Sequence, residues 1–76
     1  MIEQIKIILK SIRPELDFTS SNNFFEDGLL DSFELVLMVT ELEDTFKIVI
    51  DGVDIIPENF KNINSIVSLI NSSKKR

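Results

Sequence analysis

From Asp31 to Phe46 neither glycine nor proline interrupts the chain, and the apolar residues of this stretch fall on two stripes rather than one. Leu35, Met38, Val39, Leu42 and Phe46 recur at helical spacing and make one face, which reads as core. Phe33, Val36 and Leu37, followed by Thr40, lie on another side of the cylinder. A small domain rarely buries a helix on both sides, so the second stripe is left for a partner. Ahead of it come a turn dipeptide, Asp27-Gly28, and the apolar pair Leu29-Leu30. Asp31 is then a good N-cap with Glu34 three residues on, the spacing at which the two side chains close each other's orphan amides. Ser32 falls at the first helical position with its hydroxyl at the surface.

The rest of the chain is organised around that helix. Ile2, Ile5, Ile8, Leu9 and Ile12 mark one face of a first helix, with Glu3, Lys6, Lys10 and Arg13 on the other, and Pro14 ends it by pushing Arg13 out of the helical region. Residues 14–30 carry no sustained period and are rich in Ser, Asn and Asp. A loop of that length is uncommon in a compact domain, but Leu16, Phe18, Phe24, Phe25, Leu29 and Leu30 give it apolar anchors with which to pack across the helices. After Phe46, the run Lys47 to Ile50 has no convincing second strand, so it reads as an extended connection whose Ile48 and Ile50 plug the core. Asp51-Gly52 is a turn, Ile55-Ile56 adds apolar surface, and Pro57 to Phe60 suits one short helical turn. Asn64 is expected to cap a last helix carrying Ile66, Val67, Leu69 and Ile70. The fold class expected is all-α: a small bundle of three main helices plus one short helix, with a long loop after the first.

Seventy-six residues allow one domain, near the lower end of what folds without a covalent or metal staple, and 43% hydrophobic content supplies a modest core. The organisation expected is a single domain over residues 1–73 and a basic tail, 74–76, that is disordered. There is no cysteine, which removes disulfides and thiolate chemistry and fits a reducing cytoplasm. There is no histidine, the commonest general base and metal ligand. Thirteen acidic against eight basic residues give a net charge of −5, a field that repels nucleic acid and anionic membrane and favours basic protein surfaces. No apolar run approaches the ~20 residues of a membrane span. The chain is therefore expected to be cytoplasmic, soluble and monomeric.

These residues make no case for an enzyme. Ser32 has no base beside it, and Glu41, Glu43 and Asp44 suit a solvated helix face better than acid and base work. Gly28 and Glu34 can be set as the central and last positions of a calcium loop starting at Asn23, but Phe25 then occupies a ligand position, so no metal site is expected. What Ser32 does offer is an exposed hydroxyl at a helix N-terminus, where amides and helix dipole support an attached phosphate. Local evidence alone leaves a plain capping role for this serine open.

Asp27-Gly28-Leu29-Leu30-Asp31-Ser32-Phe33 with the helix through Phe46 resembles the carrier-protein superfamily of acyl, peptidyl and D-alanyl carriers. The resemblance runs through the isoleucine-rich first helix, the long loop, the Ile-Pro-Glu-Asn-Phe segment and the last helix around Ile66. It implies that a phosphopantetheinyl transferase attaches 4′-phosphopantetheine from coenzyme A to Ser32, and that Asp31 is the cap beside it. The terminal thiol of that arm would carry an acyl or aminoacyl thioester, which accounts for the missing cysteine. Phe33, Val36, Leu37 and Thr40, ringed by Asp31, Glu34 and Glu41, would then face the transferase and the loading and acyl-transferring enzymes through their basic surfaces. Many fatty-acid carriers have leucine after the serine and an acidic residue where Leu37 stands. Phe33 and Leu37 look more like a D-alanyl carrier of teichoic acid modification or another specialised stand-alone carrier than like a housekeeping fatty-acid carrier. The resemblance leaves fatty acid biosynthesis, polyketide or nonribosomal peptide biosynthesis and D-alanyl transfer open as the pathway. The rival from a different class is an acidic helical interaction module that is never modified.

Overall fold

Helix α1, Ile2–Ile12, buries Ile5, Ile8 and Leu9 on one stripe. Ile12 is half-buried, but Ile2 stays largely exposed, so the expected apolar face is narrower at its start. The helix stops where the sequence says it must. Arg13, ahead of Pro14, leaves the helical region at φ −135°, ψ 79°, while its N–H still donates to the Leu9 carbonyl at 3.0 Å. The computed structural model describes residues 1–76 throughout.

The segment between α1 and the next helix is long but tied down. Phe18, Phe24 and Leu30 are buried, and the rings of Phe18 and Phe24 meet edge to face at 5.1 Å. Phe24 is its backbone hub: its N–H donates to the Lys61 carbonyl at 2.7 Å, and its carbonyl accepts from Leu29 and Leu30 at 2.8 and 3.2 Å. Asn23 folds the tip by accepting from the Phe25 and Glu26 amides, both at 3.1 Å. Gly28 then takes φ +75°, a region that L side chains rarely adopt, and this returns the chain toward the second helix.

Helix α2, Ser32–Phe46, is the longest element and supplies Leu35, Met38, Val39 and Leu42 to the core. It ends on Lys47 in the left-handed region, φ 56° and ψ 53°, whose N–H caps the Glu43 carbonyl. A 3-10 turn at Gly52–Asp54 and another at Pro57–Phe60 lead into helix α3, Ile63–Ser72. Phe60 and Ile66 are fully buried, and together with Ile5, Leu9, Phe24, Met38, Leu42 and Ile48 they form the centre of one continuous core. The all-α expectation holds: three helices carry the molecule.

Three expectations need correction. The cap of α3 is Asn62, not Asn64: its Oδ1 accepts from the Ser65 amide at 2.8 Å. Both asparagines are competent caps, and tertiary structure selects the first, because Asn62 Nδ2 also donates to the Asn22 carbonyl of the long loop and Ile63 packs against the core. The run after Phe46 does have a strand partner. Ile48–Val49, here β1, pairs antiparallel with Lys74–Lys75, β2, in the register Ile48 opposite Lys75 and Val49 opposite Lys74. The basic tail, expected to be disordered, is thereby placed against the end of α2, with Arg76 N–H donating to the Lys47 carbonyl at 2.9 Å and its guanidinium 3.4 Å from Asp44. A Ser-Ser-Lys-Lys-Arg segment carries no strand signal because the ladder uses its backbone, which composition does not report.

Candidate functional site at the start of helix α2

Asp31 lies in extended backbone at φ −124°, ψ −177°, and both halves of the capping box are formed. Its Oδ1 accepts from the Glu34 amide at 2.9 Å, and the Glu34 Oε1 accepts from the Asp31 amide at 3.1 Å. This reciprocal pair fixes the first turn and sets Ser32 at its first position, solvent-exposed. The amides of Ser32 and Phe33 have no protein acceptor, so two backbone donors and the positive end of the helix dipole stand beside the serine hydroxyl.

The expected partner residues divide. Phe33, at 71% exposure, and Val36, Leu37, Thr40 and Glu41 all lie on the surface, three of them large and apolar. Glu34 does not join their rim. It is only 8% exposed, the single charged residue that is buried, and its carboxylate faces inward to the cap and to Arg13. The helical spacing that puts Glu34 between the stripes also turns it toward α1, so the acidic rim of the apolar patch consists of Asp31 and Glu41. The remaining acidic residues of α2 have structural tasks: Glu43 accepts from the Ile50 amide at 2.9 Å, and Asp44 pairs with Arg76.

One residue at this site carried no signal in the sequence beyond its place on the outer face of α1. Arg13 reaches from the end of α1 to Glu34, with Nη1 3.1 Å from Oε2 and 3.4 Å from Oε1, and its Nε donates to Glu15 at 2.9 Å. Glu15 first and Glu34 second drive the guanidinium further above its already high ordinary range, so it stays charged. Conversely, the Glu15 carboxyl is held below the usual carboxylate range by its own backbone amide and then by Arg13. A contact that joins residues 13 and 34 is a product of the fold, and the only available hint is the proline that halts α1 beside it.

The arrangement has no base within the serine's hydrogen-bonding network and no enclosed reaction chamber beside Ser32; the cavities lie elsewhere, between the 3-10 turns and α3, between α1 and Phe18, around Val49 and Lys74, and between the Phe18 to Asn22 part of the loop and the start of α3. What it presents is an accessible nucleophilic hydroxyl on a fixed helix start, next to an apolar surface. Such a group fits a covalent phosphodiester, whose charge the two open amides and the helix dipole would meet. No helix of the protein is long and apolar enough to cross a membrane.

Neither the comparison with curated proteins nor that with solved structures found a significant match. The model of the family described as phosphopantetheine attachment site matches residues 3–70, which spans α1, the long loop, α2 and nearly all of α3. The match covers most of the chain and runs across the helix start just described, so the protein belongs to the phosphopantetheine-binding carrier family and its prosthetic group is a covalently attached 4′-phosphopantetheine.

Proposed function

We infer that Ser32 is the attachment residue and that the protein is a stand-alone acyl or aminoacyl carrier, shuttling thioester-bound intermediates between biosynthetic enzymes. The observation that carries this reading is the exposed serine at the first position of α2, held by a complete capping box inside the matched family region. In the loading reaction the Ser32 Oγ attacks the phosphopantetheine-bearing phosphorus of coenzyme A. The new O–P bond replaces the pyrophosphate bond, the nucleotide bisphosphate leaves, and the transferase removes the hydroxyl proton, since this chain has no base to do so. When attached, the group supplies the thiol that the cysteine-free chain lacks.

The chain's own contribution is presentation. Asp31 and the capping box orient Ser32, and the Phe33, Val36 and Leu37 surface, with Thr40 beside it and Asp31 and Glu41 at its edge, docks basic partner enzymes. Such contacts are weak and weaken further with salt, which lets one carrier visit several enzymes in turn. The exposed Phe33 and Leu37 favour a D-alanyl or another specialised cargo over housekeeping fatty-acid synthesis.

Intact mass after incubation with coenzyme A and a broad-specificity transferase tests the central step. Wild type gains one phosphopantetheine and Ser32→Ala gains none. Absence of any gain with several competent transferases overturns the reading and favours an unmodified interaction module.

A further inference from the structure

We propose that Arg13 is a positioning residue for modification of Ser32: through Glu34 it locks the capping box, and so the serine, to the end of α1. This rests on Ser32 being the attachment residue.

Arg13 is fixed from every side. Its backbone N–H donates to Leu9 at 3.0 Å and its carbonyl accepts from Leu16 at 3.2 Å, so the residue is the joint between α1 and the long loop. Its guanidinium is divided between Glu15 and Glu34. The Glu34 carboxylate in turn serves Arg13 and the Asp31 amide together. A carboxylate this buried is costly without a cation, and Arg13 is the only cation that pairs with it. The four groups form one chain, Glu15 to Arg13 to Glu34 to Asp31, that ends one residue before Ser32. Removing Arg13 leaves Glu34 with an uncompensated inward charge. The side chain then turns out to water, the Asp31 amide loses its acceptor, and the first turn of α2 frays around the serine.

Arg13 bonds no residue of the exposed apolar stripe, so docking of the transferase survives its loss. The defect therefore falls on the step after docking. With coenzyme A and a fixed transferase, Arg13→Met is expected to lower kcat for phosphopantetheine transfer about fivefold, the scale of a lost cap, with KM within about twofold of wild type. Amide exchange at Glu34, whose N–H donates to Asp31, rises in the same variant without any modification reaction. Arg13→Lys restores part of kcat, because a point charge still meets Glu34 but cannot hold Glu15 and Glu34 in a fixed fork. Val67→Ala, a half-buried position on α3, lowers overall stability and leaves kcat unchanged.

An unchanged kcat in Arg13→Met overturns the positioning role, as does an equal fall in Val67→Ala. If wild type gains mass and the Arg13 variants behave like it, the positioning role fails alone and Ser32 stands. If wild type gains nothing, Ser32 fails and the positioning role fails with it.

Discussion

Leu37 and Met38 are adjacent, similar in size and equally compatible with a helix, yet Met38 is fully buried and Leu37 is 41% exposed. The same division runs along all of α2: Leu35, Met38, Val39 and Leu42 face the core, while Phe33, Val36 and Leu37 face solvent. Hydrophobicity is not the difference between them. The two stripes are separated by rotation about one helix axis, and only one side of that axis has α1, the Pro57–Phe60 turn and Ile48 packed against it. A helix that is apolar on two sides in a domain with material for only one core keeps the other side available, and Ser32 lies at the start of that side.

The largest effect that can test this division is in the core. Leu42→Ala is expected to cost about 3 kcal/mol in denaturant unfolding, a large share of the stability of a domain of this size. A loss near zero would mean that the buried stripe does not hold the fold. Asp31→Ala comes next: it removes the cap and is expected to cost about 1 kcal/mol, with reduced modification of Ser32 in intact-mass assays. Smaller again, and opposite in sign, Lys47→Gly relieves the left-handed backbone at the end of α2 and should raise the unfolding free energy by up to about 1 kcal/mol. Leu37→Glu should leave stability within about 0.5 kcal/mol, since it changes an exposed site, while weakening docking to a basic partner surface that has an apolar centre. Unfolding of that variant would place Leu37 with the core and end the comparison.

The smallest effect is a pH dependence at Glu15. Its folded carboxyl lies below the ordinary value of 4.5, so its contribution is present above that value and disappears as pH falls through the lower, folded one. The thermal midpoint of Glu15→Gln should therefore lie below wild type near neutrality and converge with it in acid. A constant gap across that range would show that the charge is not what Glu15 contributes.

Much of this molecule is legible residue by residue where the physics is local. Pro14 ends α1, Asp31 and Glu34 build the capping box, and the helical spacing of Leu35 to Leu42 separates a core face from an exposed one. The anchors of the long loop were legible too, since Phe18, Phe24 and Leu30 are too apolar to leave in water. Less legible were features that depend on which backbone happens to be nearby. Two asparagines could have capped α3, and contact with the Asn22 carbonyl decided between them. The β1 strand found its partner in a basic segment that offers only peptide groups.

The sequence by itself determined the helices, the capping box of α2, the existence of two apolar stripes and the place of Ser32 at a helix start, because each depends on residues within one or two turns of one another. Only the tertiary structure decided which charges around that serine face outward. Glu34 falls between the two stripes in a helical projection, and it is the approach of Arg13 from the end of α1 that turns it into a buried link. Local propensity has no access to that outcome, since a carboxylate leaves water only when a cation from elsewhere in the chain is already in place to receive it.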